Sequence, residues 1–300
     1  DQDDLEKERQ VIFQEIDNLE DTPDEYVHDL FSRRFWGESA FGRPVMGDAR
    51  TVGSFSRPLL LNYRQCHYQS DRLVIAAAGR LRHDLLVELA GTAFGDFHNG
   101  RRPPPREAVC TFPGAYSLAR DLEQVHLVMG GQGPAAGESS RFVAILLNLV
   151  LGGNMSSRLF QEVRENQGLC YSIYSFLHSF SDTGLLGVSA AVGPENLDLL
   201  LETIRREFRK MQTQEVSAAE LQAAQDYSRA SFYLSAEDSD NRMLRLAKNE
   251  INLGHYISYE EIIAGLQAVT SRQILEMAQE CLNPARWQTV CLGPVDSLLP

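Results

Sequence analysis

Three consecutive prolines, Pro103 to Pro105, interrupt the chain about one third of the way along its length. Proline has a fixed φ and no backbone N–H, so neither a helix nor a central strand can continue through this run. The flanking glycine and arginines are typical of an extended connection. We therefore predict a linker over residues 99–107, which separates a domain at 1–98 from a domain at 108–300. The alternative is a long surface loop within one domain.

On both sides of the prolines, helical and strand-like patterns alternate. Before the prolines, Leu5, Ile12, Ile16 and Leu19 recur at helical spacing in an acidic amphipathic segment. The run from Leu73 to Gly79 predicts a buried strand. The other expected helices lie at 23–34, 56–68, 84–97, 139–151, 156–166, 194–211, 217–237, 240–253, 259–264 and 271–281, and the other strands at 125–130, 171–180, 184–192 and 287–292.

Charge excludes several classes of function. The net charge is −13, which argues against a general binder of nucleic acid or of anionic membranes. Residues 1–25 contain eleven acidic and two basic side chains, so most of this charge lies at the start of the chain. No apolar run approaches the roughly 20 residues of a membrane helix. The sequence begins at Asp1 and its first residues do not have the pattern of a signal peptide, so we expect the chain to begin at a processing site or inside a longer parent.

The five cysteines are an odd number and include no CxxC pair. This pattern argues against a disulfide framework and against a cysteine zinc site, and it predicts free, buried thiols in a reducing compartment. The seven histidines are scattered, and none forms HxxxH or HxxEH. The sequence therefore does not predict a zinc site formed by the histidines of this chain.

Three segments carry a resemblance to a known family: residues 5–29, Phe41–Gly47 and residues 151–172. They resemble the insulinase/pitrilysin family of zinc peptidases, which have an inverted H-x-x-E-H motif, and within it the branch of mitochondrial processing peptidase and its bacterial relatives. The resemblance implies an α+β fold of two processing-peptidase-like domains. In each, helices pack on a mostly antiparallel mixed sheet, and the first domain is truncated at its N-terminus.

The resemblance assigns Glu15 as a zinc ligand and Glu8 as a supporting carboxylate. Residues seven apart lie on one face of a helix, roughly 10 Å apart along its axis, so one carboxylate can reach a metal while the other orients a neighbour. By residue type alone, both would be solvated glutamates. The H-x-x-E-H motif, with the general base and two zinc ligands, is absent from these 300 residues. We therefore expect Zn²⁺ in the intact parent, no zinc bound to this chain alone, and no activity of the fragment.

The resemblance also implies that Arg164 and Tyr171 bind the substrate backbone and the oxyanion of the tetrahedral intermediate. Hydrogen-bond donors placed where negative charge develops stabilise a transition state, and arginine is always charged. Gly168 between them allows a helix to end and a strand to begin. By residue type alone, Arg164 would be a surface cation and Tyr171 a core aromatic.

The function implied is that of a zinc metalloendopeptidase that cleaves peptides or presequences inside a chamber between two domains. The expected partner is a peptide substrate that is basic or extended, with no nucleic acid and no membrane. A homodimer or a heterodimer of like subunits is the expected assembly of the parent. The expected location is the bacterial cytoplasm or, alternatively, the mitochondrial matrix. The alternative function is a non-catalytic subunit or core-type scaffold of the same fold. The chain retains Glu8 and Glu15 as well as Arg164 and Tyr171, which favours a catalytic parent.

Overall fold

The structure, a computed structural model, describes residues 1–97 and 107–295. The predicted linker at 99–107 lies outside the described residues except for Glu107. The division into domains at 1–98 and 108–300 therefore stays a prediction.

The described residues form helices and strands in mixed order. The helices are α1 (Gln2–Glu20), α2 (Pro23–Trp36), α3 (Ala49–Ser54), α4 (Arg57–His67), α5 (His83–Phe94), α6 (Arg141–Leu151), α7 (Leu197–Thr213), α8 (Ala218–Glu237), α9 (Ser239–Leu253), α10 (Tyr259–Gln267) and α11 (Ser271–Cys281). A π-helix covers Phe160–Asn166. The strands are β1 (Gly114–Ala119), β2 (Val125–Gly133), β3 (Ser172–Ser179), β4 (Gly184–Val192) and β5 (Gln288–Gly293). No helix in the described ranges has the length and apolarity needed to cross a membrane.

The five strands form one sheet in the order β1-β5-β2-β4-β3. β1 and β5 are parallel, whereas β5, β2, β4 and β3 pair antiparallel in turn. The predicted α+β class, with helices on a mostly antiparallel mixed sheet, is confirmed.

The chain divides into two compact units. The sheet unit consists of Asn18–Val45, Val109–Ala230 and Ser258–Pro300, and the helical unit consists of Asp1–Asp17, Met46–Ala108 and Ser231–Ile257. All five strands, α2, α6, α7, α10 and α11 belong to the sheet unit. The helical unit holds α3, α4, α5 and α9, together with most of α1.

Helix α2 covers one face of the sheet. Its residues Phe31, Phe35 and Trp36 are fully buried and share a cluster with Val128 of β2 and Leu292 of β5. Neighbouring strand residues point to opposite faces. On the other face, Leu127, Met129 and Cys291 are buried, and α6, α7 and α11 pack there against the strands and one another. In the described part of the chain, the sheet therefore lies between α2 and the layer formed by α6, α7 and α11.

The close packing of α2 on the sheet depends on the absence of a side chain at Gly130. A Cβ at this position would lie 2.7 Å from Cζ of Phe31 and 2.9 Å from Cδ1 of Leu185. Gly130→Ala should lower the free energy of unfolding by about 1–3 kcal/mol, because overpacking a filled core forces neighbours to move. Urea denaturation measures this change.

The matched control is Gly137→Ala, since a Cβ at Gly137 meets no atom within 4 Å. Equal stability of the two alanine variants would contradict the packing of Phe31 over Gly130.

The helical unit has a small core in the described residues. Ile16 and Val52 are buried, but α4 and α5 contain no buried residue. Leu59, Leu85, Val87, Leu89 and Phe94 are all exposed. The apolar sides of these helices therefore have no covering element among the described residues.

The prediction of a buried strand over Leu73–Gly79 is wrong. Residues 73–78 belong to neither a helix nor a strand, and Ile75 is 45% exposed. A strand exists only when a neighbour satisfies its backbone N–H and C=O groups. No described segment pairs with residues 73–78, so their apolar side chains remain at the surface.

The cysteines are free, as expected, but not all are buried. Cys170, Cys281 and Cys291 are buried, Cys66 is half-buried and Cys110 is exposed. Burial raises the pKa of Cys281 and of Cys291 to about 12, which keeps these two thiols protonated and unreactive at neutral pH.

Candidate functional site

The predicted zinc carboxylates lie on α1. Glu8 and Glu15 are both exposed, and the continuous helix places them on one face, about 10 Å apart along the axis. Neither side chain has a hydrogen bond or salt bridge to the described part of the chain. Both carboxylates are therefore available to a group from outside these residues.

Arg9, which the sequence did not single out, fixes α1 within the helical unit. Its guanidinium donates from Nη1 to the carbonyl of Val52 (2.5 Å) and from Nη2 to that of Phe55 (2.7 Å). The side chain is only 11% exposed and also pairs with Glu6 through Nε. This anchoring sets the direction in which the neighbouring residues of α1 project.

The described residues do not complete a zinc site. A catalytic zinc needs about three protein ligands, and the described ranges contain no group of three or more histidine, cysteine, aspartate or glutamate side chains close enough to share a metal. Glu15 fits as a single oxygen donor. His28 is packed on Phe176, with ring centroids 5.5 Å apart, and His67 is stacked on Tyr63 at 4.2 Å.

We predict that the 300-residue chain retains less than one zinc per molecule after dialysis, because a lone carboxylate binds the ion weakly. Elemental analysis measures the metal content, and Glu15→Gln serves as the matched variant. One tightly held zinc per chain would show that other residues, with His28 and His67 the first to test, form the site.

The structure brings Arg164 and Tyr171 together. Arg164 lies in the π-helix, Gly168 turns the chain with φ +61°, and Tyr171 directly precedes β3. The Arg164 guanidinium carbon is 4.4 Å from the Tyr171 ring centroid and 4.9 Å from that of Phe160. The pair forms a cation–π stack.

The polar ends of this stack are accessible. Tyr171 is 79% exposed, so it is not a core aromatic. Its hydroxyl has no hydrogen-bond partner in the described residues. Arg164 Nε lies 3.7 Å from Glu165 Oε1, too far for a strong hydrogen bond. The guanidinium and the hydroxyl can therefore donate to a bound molecule.

Glu162 holds the π-helix in place, and the sequence did not indicate this role. Its carboxylate accepts hydrogen bonds from Asn166 Nδ2 (3.1 Å), Gln167 Nε2 (2.8 Å) and Arg206 Nη2 (2.8 Å). The side-chain hydrogen bond from Asn166, followed by that from Gln167, lowers the pKa of Glu162. Because Arg206 belongs to α7, this carboxylate fastens the helix of Arg164 to the neighbouring element.

A second ion pair ties the residues just before the π-helix to α8. Arg158 donates to both oxygens of Glu220, from Nε at 2.8 Å and from Nη2 at 3.2 Å. The backbone N–H of Ser217 also donates to Glu220, at 3.0 Å. The hydrogen bond from Arg158 is the main cause that lowers the pKa of Glu220 to about 2. Two-point contacts of this kind fix orientation as well as distance.

The Arg158–Glu220 pair predicts a pH dependence of stability. The pKa of Glu220 is lower in the folded chain, about 2, than its ordinary value of 4.5. Its stabilisation is therefore present in full above pH 4.5 and is lost as the pH falls toward 2. Glu220→Gln should be less stable than the parent sequence at pH 7, and the difference should narrow below pH 4.5.

Urea denaturation of both proteins at several pH values checks this expectation. Arg229→Ala, which removes an exposed pair with Asp226 on α8, is the control and should change stability little at any pH. A Glu220→Gln deficit that is constant from pH 7 to pH 2 would rule out the ion pair as its cause.

Comparison with solved structures establishes the fold class. The chain superimposes on a protease from Helicobacter pylori with a TM-score of 0.91 at 18% identity, covering 97% of this chain and 72% of that one. It also superimposes on a chain of complex III2 from Candida albicans with a TM-score of 0.88 at 18% identity, covering 98% and 72%. At such low identity these likenesses show the fold alone.

Comparison of the sequence with known proteins identifies the family. Residues 54–227 match the family described as the peptidase M16 inactive domain. A protein of Mycobacterium tuberculosis, named as an uncharacterized zinc protease, is 36% identical over 297 residues, which span 97% of this chain and 68% of that protein. The chain belongs to the peptidase M16 family, and the predicted insulinase/pitrilysin resemblance is confirmed.

Proposed function

We propose that this chain is part of a zinc metalloendopeptidase of the processing-peptidase type. The observation that carries the proposal is the exposed stack of Arg164 on Tyr171, held by a π-helix, in a family that includes a protein named as a zinc protease. In this proposal Glu15 contributes one zinc ligand of the parent, and Glu8 supports it.

The role of the pair follows from its chemistry. The Arg164 guanidinium and the Tyr171 hydroxyl donate hydrogen bonds to carbonyl oxygens of an extended peptide. As the scissile carbonyl becomes tetrahedral, its oxygen gains negative charge, and donors fixed in advance then bind it more tightly. Stacking on Tyr171 and Phe160 limits the freedom of the guanidinium before substrate arrives.

Two further observations fit a larger parent. The apolar sides of α4 and α5 and the side chains of residues 73–78 are exposed. Additional strands would cover this apolar surface and would pair with the backbone groups of residues 73–78. The chain also spans 68% of the relative from Mycobacterium tuberculosis. We propose that the helical unit is completed by further chain, which would carry the general base and the remaining zinc ligands.

The proposed substrate is a basic, extended peptide or presequence that is cleaved within an enclosed chamber of the parent. The eleven acidic residues within 1–25 favour such a substrate by long-range attraction. The proposed location is the bacterial cytoplasm, with a homodimer or a heterodimer of like subunits as the assembly.

A non-catalytic scaffold is the second candidate. It is favoured by the match to a domain described as inactive and by the likeness to a chain of complex III2. Fold does not determine function. The accessible donors on Arg164 and Tyr171 support the catalytic proposal, because a scaffold has no need of them.

In the full-length parent, Tyr171→Phe and Arg164→Ala should each lower kcat by about 10²-fold, since each removes a donor that acts mainly in the transition state. Tyr171→Phe keeps the ring that stacks on Arg164 and so tests the hydroxyl alone. Steady-state cleavage of a quenched peptide gives kcat and KM.

Tyr227→Phe, which changes another exposed tyrosine, is the matched control and should have the kcat of the parent. Zinc content and melting temperature should be equal in all variants. If both site variants retain the parent kcat, the assignment is wrong and the scaffold function is favoured.

A further inference from the structure

Strand β1 forms one edge of the sheet and pairs only with β5 among the described strands. The Gly114 N–H donates to the Trp287 carbonyl, and the Arg120 N–H donates to that of Gly293, both at 3.0 Å. Backbone groups alternate in direction along a strand. The N–H and C=O groups of the odd-numbered residues, Ala115, Ser117 and Ala119, therefore point away from the sheet.

This edge lacks the features that usually protect an edge strand. Protection comes from prolines, charged residues, bulges or a covering element. The six residues from Gly114 to Ala119 include neither a proline nor a charged side chain, and no described strand covers their outer side. The open edge can accept the backbone of another extended segment.

A cavity of about 240 Å³ lies beside the start of β1. Its floor is the row Ala115, Thr289 and Met129, which are neighbours across three strands. Leu201 of α7 and Trp287 form part of its walls. The cavity exists because β1 presents small residues to this face, so an apolar side chain of an added strand can enter it.

Three arginines surround the same edge. Arg34 stacks on Tyr116 with its guanidinium carbon 3.6 Å from the ring centroid, Arg120 follows the end of β1, and Arg205 is exposed at the rim of the cavity. None of them forms a salt bridge with a carboxylate in the described residues. In a chain of net charge −13, this is a local cationic surface that complements acidic side chains.

We propose that the open edge of β1 binds an extended acidic peptide segment, which adds a sixth strand to the sheet. Its backbone pairs with Ala115, Ser117 and Ala119, and an apolar side chain enters the cavity. The carboxylates alternate with the apolar side chains, so they lie on the other face of the added strand, where Arg34 stacks on Tyr116. Main-chain pairing gives affinity and the alternating side chains give specificity. β1 and β3 are opposite edges of the sheet, so this surface is separate from Arg164 and Tyr171.

The probe is a fluorescein-labelled octapeptide of alternating glutamate and valine, titrated into the 300-residue chain and followed by fluorescence anisotropy. The matched peptide has lysine in place of glutamate. We expect saturable binding of the glutamate peptide alone. Absence of saturable binding, or equal binding of the lysine peptide, would overturn the proposal.

Ser117→Pro tests the strand edge directly. It removes an outward N–H and leaves the hydrogen bonds to β5 intact, as proline is tolerated on the open side of an edge strand. We expect the affinity for the glutamate peptide to fall by about tenfold or more. Arg34→Ala should also weaken binding, whereas Arg229→Ala on α8 should not. Unchanged binding by a folded Ser117→Pro variant would exclude pairing at this edge.

Hydrogen exchange of the unmutated chain gives an independent readout. The glutamate peptide should slow exchange at the amides of Ala115, Ser117 and Ala119 and leave β3 unchanged. Protection confined to β3 would show that the peptide binds at the opposite edge, and it would refute the proposal while leaving the role of Arg164 and Tyr171 untouched.

Discussion

The packing of α2 against the sheet is the contact on which the sheet unit depends. The strands carry buried residues on both faces, and such a sheet is stable only when both faces are covered. Within the described ranges, α6, α7 and α11 pack on one face, and α2 covers the other with Phe31, Phe35 and Trp36. Gly130 provides the space that allows α2 to approach closely.

The parts of the fold that the sequence predicted well are those with strong local patterns. β4 was predicted at 184–192 and has those bounds, and α11 was likewise predicted at its observed bounds. The strand at 73–79 failed because an apolar run becomes a strand only beside a partner. β1 was missed because Gly114, Ala115 and Ser117 have low strand propensity, and β5 places this segment in the sheet instead.

In the candidate site, too, the features that are local in sequence were predicted and those that depend on distant partners were not. Arg164 and Tyr171 were recognisable because they are close in sequence and belong to a motif. The residues that hold them were not, because their partners are distant: Arg206 lies 44 residues from Glu162, and Glu220 lies 62 residues from Arg158. Side-chain pairing at that separation depends on tertiary structure, for which a single sequence contains no signal. The role of the glutamates on α1 remains a prediction from the resemblance.

The π-helix has a consequence for how this site tolerates change. A π-helix holds an additional residue in its turn compared with an α-helix. Because the extra residue is accommodated within the wide turn, the residues that follow keep nearly the direction that an ordinary helix would give them. A deletion that removes this extra residue should therefore be tolerated. A deletion between the π-helix and Tyr171 has no such compensation, and it would separate Arg164 from the Tyr171 ring with no residue type altered.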